Sequence, residues 1–355
     1  MSQLKNDRLL RAIWRKPLDT TPVWIMRQAG RYLPEYRAVR EKAGSFMNLC
    51  KTPELACEVT LQPLRRYDLD ASIIFSDILT IPDAMGLGLD FIEGQGPIFH
   101  YPLQNEKDIQ RLTVPDPEQL KYVYDAIGLV KNELAGNLPL IGFCGSPFTL
   151  AAYMIEGKSK TGFPKLLGLL KESPHLLHKL LDVLAESVAA HLNAQIKAGV
   201  SAVMIFDTWG GMLDTQNYHE FSLRYIKQIT DRLSRNYNNE MIPVILFTKG
   251  GSKWLPEMAE ICDVVAVDWE ISLQSAREIA GKKVALQGNM NPACLLSEPA
   301  MIQEEVKRIL TSYGKGSGHI FNLGHGITPD VPPDHVKVLV DAVHEYGREF
   351  HAETN

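Results

Sequence analysis

The sequence predicts an α/β fold, built as one (β/α)8 barrel with elaborated loops at the C-terminal mouth of its strands. Three observations carry this expectation. Eight short apolar runs punctuate the 355 residues, and each is close to continuously apolar rather than alternating. Segments with helical spacing lie between most of them. No G-x-G-x-x-G follows an early run, which disfavours the alternative of a doubly wound open sheet.

The eight runs are residues 22–26 (PVWIM), 71–77 (ASIIFSD), 139–145 (PLIGFCG), 202–207 (AVMIFD), 244–250 (VILFTKG), 264–269 (VVAVDW), 284–289 (VALQGN) and 319–326 (HIFNLGHG). A strand that is apolar on both faces is buried on both, as in a parallel sheet covered by helices. The intervening helical patterns include 174–199, where Gly199 is a natural C-cap, and 217–236. Two connections are long, 27–70 and 78–138, and the second is expected to cover one end of the barrel with loops and short elements. Linkers, charge blocks and repeats are missing, so residues 1–355 read as one domain.

Composition narrows the function classes. A hydrophobic fraction of 45%, a charged fraction of 22% and a net charge of -5 fit a globular protein with no general affinity for nucleic acid. Five cysteines without a C-x-x-C suit a reducing compartment. The charged N-terminus has no apolar core of a secretory signal, and no stretch reaches the ~20 apolar residues of a membrane span. The expected location is the cytoplasm.

Barrels of this kind keep their chemistry at the C-terminal ends of the strands. That position selects Arg27 and Arg31 after the first run, Asp77 after the second, Tyr153 after the third, and Asp207 and Thr208 after the fourth. Lys249, Asp268, Glu270, Gln287, Asn289 and His325 follow the later ones. Arg27, Arg31, Arg37 and Arg40 fall within fourteen positions, and Gly30 and Pro34 make a regular helix through 27–34 unfavourable. Guanidinium forks match carboxylates two bonds at a time, so the cluster suits a substrate with several carboxylates. The plainer alternative is a solvated loop paired with Glu35 and Glu41. Asp77 lies between Ile73-Ile74-Phe75 and Ile78-Leu79, a setting that demands a partner for its charge. The partner is a ligand's N–H groups, or else Asp77 is a helix cap or part of an ion pair. Tyr153 offers a phenol near the mouth, or a core ring. His325, between Gly324 and Gly326, is open to a ligand or is a structural histidine. No set of side chains has metal-ligand spacing.

The runs PVWIMRQAGRYLPEYR and GFCGSPFTLAAYMIEG, with FSDILTIPDAMG, FDTWGG and NLGHGI in order, resemble the uroporphyrinogen decarboxylase family along essentially the whole chain. The resemblance implies a barrel with a deep cleft, a homodimer, and cofactor-independent removal of the acetate carboxylates of uroporphyrinogen III to give coproporphyrinogen III. It assigns Arg27 and Arg31 to substrate carboxylates, with Arg27 also a candidate proton donor. It gives Asp77 the gathering of the pyrrole N–H groups. Tyr153 and His325 match the family's cleft tyrosine and histidine, and Thr208 a hydroxyl that binds a side-chain carboxylate. Phe143 and Phe206 match apolar walls, and Arg40 a further basic position. Neither metal nor cofactor is implied. Zinc-dependent methyltransferases with the same barrel carry a His-x-Cys, and none of the ten histidines here is followed so. A non-catalytic tetrapyrrole carrier is the rival from another class. A sugar-phosphate barrel would show a glycine-rich loop late in the chain, and Gly324 and Gly326 alone do not make one.

Overall fold

A computed structural model of the chain describes residues 4–92, 95–158 and 162–351. Seven of the eight apolar runs become strands of one curled parallel sheet. They are β1 (Ser72–Ile73), β2 (Leu140–Gly145), β3 (Ala202–Asp207), β4 (Val244–Thr248), β5 (Val264–Ala266), β6 (Ala285–Gln287) and β7 (His319–Ile320), in that spatial order. Every pairing is parallel, with Ser72 opposite Leu140, Asp207 opposite Thr248 and Leu286 opposite His319.

The eighth run, 22–26, forms an isolated parallel bridge, Val23 to Phe321, rather than a strand. Its backbone still joins both edges of the sheet. Phe321 N–H donates to Pro22 O (2.8 Å), and Asp70 N–H, just before β1, donates to Val23 O (2.8 Å). Side chains take over where the ladder is missing. Asp70 Oδ2 accepts from Val23 N–H, and the amide of Gln28 accepts from Ile25 N–H and donates to Ala71 O.

Continuous apolarity is explained by two cores, one on each face of the sheet. Inside the curl, Trp24, Ile73, Ile141, Met204, Ile245, Phe247, Val264, Ala285 and Ile320 pack together, closed from below by Leu9, Ala12 and Ile13 of the helix Arg8–Ile13. Outside, alternate strand residues such as Val203, Ile205, Val244 and Leu246 meet the surrounding helices. Phe143 and Phe206 cap the inner core at its C-terminal end and remain only partly buried.

The longest helix, Pro174–Ala198, starts with proline in its first turn and stops at Gly199, whose φ of 111° is open to glycine. The pattern at 217–236 is broken up. A π-turn (Tyr218–Leu223) leads into a helix, Arg224–Arg232, and residues 236–237 join a short hairpin. The connection 27–70 holds three helices, and 78–138 holds a hairpin (Leu89–Ile92 with Gly96–Phe99) and the 14-residue helix Lys121–Leu134. No helix among the described residues is long and apolar enough to cross a membrane.

Candidate active site

A row of aromatic rings crosses the C-terminal end of the sheet, beginning with the partly buried Phe143 and Phe206. Their rings meet edge-on at 5.6 Å, and the row continues through Phe247 (6.3 Å from Phe206) to His325 (6.2 Å from Phe247). Strand pairing sets this row, because inward positions of neighbouring parallel strands stand side by side.

The segment 26–33 is a chain of turns, and helix begins only at Pro34. Arg27 has φ 65°, a left-handed conformation that costs a side chain-bearing residue roughly 1 kcal/mol. Its neighbours hold it there. Gln28 is fully buried, its N–H donates to Ile25 O, and Tyr32 Oη donates to Gln28 O at 2.9 Å. Arg37 reaches back from the helix Pro34–Ala43 and donates to Arg31 O (2.7 Å) and Tyr32 O (3.3 Å). The Arg27 side chain lies across Gly326, where a Cβ would overlap its Cδ and Nε.

Glu35 pairs with Arg66 instead of Arg31, and among the described residues none of Arg27, Arg31, Arg40 and Lys249 makes a salt bridge. The pairs to Glu35 and Glu41 expected of a solvated loop are therefore not formed, while Arg27 and Arg31 are exposed, as such a loop would leave them. Arg31, Arg40 and Asp77 all exert their charge on the buried Tyr36, so the basic cluster and the carboxylate face the same region.

Asp77 is half-buried, and its Oδ1 accepts from Leu79 N–H at 2.8 Å. Desolvation pushes its carboxyl up to about 6, against the opposing pull of that N–H and of the Arg27 charge. His325 is pushed down to about 4 by burial, with Arg27 and Lys249 adding like-charge repulsion, so it is neutral near pH 7. Tyr153 sits on the helix Pro147–Glu156, its ring 6.1 Å from Phe163 and 6.2 Å from Trp209. Thr208, half-buried, stands beside Trp209 on the same wall.

Other residues at strand ends serve the scaffold. Asp268 accepts from Gly250 N–H (2.7 Å) and Glu270 N–H (3.1 Å), and Asn289 donates to Asp268 O and Ile271 O. Gln287 accepts from the Trp24 indole at 2.9 Å. Position at a strand end thus over-selects on the β5–β6 side. Lys249 and Phe247 face His325, yet only Lys249 carried a sequence signal. No group of three or more His, Cys, Asp or Glu among the described residues is arranged to hold a metal ion.

Comparison with known proteins decides the family. The model described as uroporphyrinogen decarboxylase (URO-D) matches residues 4–346. The chain belongs to the uroporphyrinogen decarboxylase family. It is 58% identical over 353 residues to the uroporphyrinogen decarboxylase of Actinobacillus pleuropneumoniae, covering 99% of this chain and 100% of that one. It is also 58% identical over 354 residues to that of Pectobacterium carotovorum, again over 99% and 100% of the two chains. Among solved structures, a methyltransferase from Methanosarcina mazei superposes with a TM-score of 0.81 at 21% identity, covering 97% of this chain and 99% of that one. At that identity the likeness is one of fold.

Proposed function

We propose that this site decarboxylates uroporphyrinogen III, converting its four acetate side chains to methyls and yielding coproporphyrinogen III. The observation that carries the reading is a set of basic side chains, Arg27, Arg31, Arg40 and Lys249, that make no salt bridge among the described residues, with the Arg27 charge acting on both the desolvated Asp77 carboxyl and His325. A polycarboxylate whose centre presents four N–H groups complements both. Arg27, Arg31 and Arg40 bind side-chain carboxylates; Thr208 adds a hydroxyl, and Phe143 and Phe206 take the apolar faces. Asp77 receives the pyrrole N–H groups in charge-assisted bonds, which favour the ionised form against the cost of desolvation.

The chemistry then uses the pyrrole as its electron sink. A proton adds to the ring carbon next to the one bearing the acetate, and positive charge develops in the ring opposite Asp77. Carbon dioxide leaves, its bonding pair forms an exocyclic methylene and neutralises the ring, a second proton converts the methylene to methyl, and the first proton leaves the ring carbon to restore the pyrrole. Net, one carboxylate and one proton become carbon dioxide and a C–H bond. Stabilisation aimed at the charge of the transition state is what lowers the barrier, and no cofactor is required. Neutral His325 and the Tyr153 phenol orient the reacting side chain by hydrogen bonds. Arg27 holds the departing carboxylate. Its guanidinium is a poor acid, so protons come through bound water or a substrate carboxyl.

Three wider features belong to the same reading. Residues 22–26 close the seven strands into an eight-membered barrel, and residues 1–355 form one domain. The working unit is a cytoplasmic homodimer that binds neither nucleic acid nor membrane. The test is anaerobic incubation with chemically reduced uroporphyrin and no added cofactor, followed by oxidation and separation of porphyrins by carboxylate number. Stepwise loss from eight carboxylates to four is expected. Persistence of the eight-carboxylate species with retained binding would make the protein a carrier.

A further inference from the structure

Asp207 immediately precedes Thr208. Its side chain is fully buried at the end of β3, yet it makes no salt bridge among the described residues. Four hydroxyls surround it instead. Oδ1 accepts from Ser146 Oγ (2.6 Å) and Thr149 Oγ1 (3.5 Å), and Oδ2 accepts from Ser222 Oγ (2.8 Å) and Thr248 Oγ1 (3.0 Å). Gly210 completes the cage, since a Cβ there would overlap Oδ2.

These hydroxyls come from separate elements, and two of the elements carry proposed substrate contacts. Ser146 caps the helix Pro147–Glu156, which bears Tyr153, and accepts from Thr149 N–H at 3.1 Å. Thr149, inside that helix, accepts from Trp209 N–H at 3.2 Å, pinning the residue after Thr208. Thr248 precedes Lys249 and meets Tyr218 Oη at 3.1 Å. A carboxylate only accepts, so each hydroxyl must donate to Asp207, and three of them, Ser146, Thr149 and Thr248, offer lone pairs to Thr149 N–H, Trp209 N–H and Tyr218 O–H respectively. One charge fixes the direction of the whole network.

We infer that Asp207 is a positioning residue, which sets Tyr153 and Thr208 against the substrate by fixing the donor direction of these hydroxyls; this rests on the decarboxylase reading above. An Asn at 207 keeps the shape but turns one acceptor into a donor, which faces Ser222 and Thr248 and reverses part of the network.

Two readouts test it on the full chain. In hydrogen exchange, D207N should speed exchange in peptides from 147–156 and 208–212 and leave those from the distant helix Pro299–Tyr313 unchanged; uniform protection in all of them would overturn the inference. In the uroporphyrinogen assay, D207N and Y153F should each lower kcat/KM about 10- to 100-fold. Added to a Y153F/T208V background, D207N should lower kcat/KM no more than about threefold further, because Asp207 acts through those two residues. Losses that multiply would overturn it, as would wild-type kcat/KM in D207N. If D207N does not fold, S222A and T248V each remove one donor and carry the same two readouts. An inactive wild-type protein would overturn the decarboxylase reading alone, with exchange still deciding whether Asp207 orders the wall.

Discussion

Ionising the desolvated Asp77 carboxyl costs the protein free energy. A carboxyl raised from its ordinary value of 3.8 to about 6 supports the fold fully below pH 3.8 and loses that contribution as pH climbs through 6. Asp77→Asn should therefore raise the melting temperature at pH 8 by an amount equal to roughly 1–2 kcal/mol after solvent screening, with the gain fading by pH 4. The same variant should lose nearly all turnover. Thermal melts at the two pH values beside an activity assay check both halves, and unchanged turnover would remove Asp77 from the centre of the chemistry. In the wild type, kcat/KM should fall as pH drops through about 6, where free Asp77 takes up a proton. Gly326 is a second case at this scale. Gly326→Ala places a methyl on the Arg27 side chain, and the displaced guanidinium should lower kcat/KM by about 100-fold while the melting temperature stays near that of the wild type. Normal kinetics in this variant would separate Arg27 from the reaction. Asp77 was legible in the sequence because a charge amid Ile73, Phe75 and Ile78 is conspicuous. The work of Asp207 was not, because its four partners come from positions 146 to 248 and only the fold assembles them.

At the scale of the element, the turns between Met26 and Leu33 are braced from outside themselves. Arg37 donates to two of their carbonyls from the following helix. Arg37→Met should loosen Arg31, raising KM for uroporphyrinogen about tenfold with a smaller change in kcat; steady-state kinetics on the octacarboxylate decide, and an unchanged KM would show that the brace is dispensable. Gly30 and Pro34 announced that this stretch would not be helical. The helix Pro174–Ala198 was equally plain, since periodicity and Gly199 mark both its face and its end. The segment 217–236 misled because its spacing is helical throughout. Tyr218 stacks on Trp254 at 3.6 Å while Ser222 turns to Asp207, and both demands together are met by a π-turn. Neither partner is visible in a local window. Run 22–26 is as apolar as its fellows, but Asp70 and Gln28 supply its hydrogen bonds, so it carries one bridge where a strand was expected.

For the molecule as a whole, burial of histidine sets a response to acid. His191, bonded to Tyr124 Oη, is pushed down to about 4 by desolvation. A folded value below the unfolded 6.5 means stability that is present above pH 6.5 and lost as pH falls toward 4. His191→Gln should therefore gain on the wild type by about 2 kcal/mol between pH 7 and pH 5, read as the difference in melting temperature at each pH. A constant difference would mean that His191 does not titrate on unfolding. Two-sided burial of the sheet followed from continuous apolar runs, and fold class was legible for that reason. Assembly leaves no such trace within one chain. The proposed homodimer should give twice the monomer mass by light scattering at micromolar protein, and a monomer mass would refute it.

The bridge between Val23 and Phe321 also has a consequence for synthesis. Met26 N–H waits for Asn322 Oδ1, 296 residues later in the chain, and Trp24 for Gln287. At about 5–20 residues per second, a ribosome needs on the order of 15–60 s to deliver that partner after the first strip has emerged. The nascent chain thus holds its signature arginines before it has anywhere to dock them. The Arg27 side chain meets Gly326 only among the last events of synthesis, and a ribosome stalled before residue 320 displays a chain without that contact.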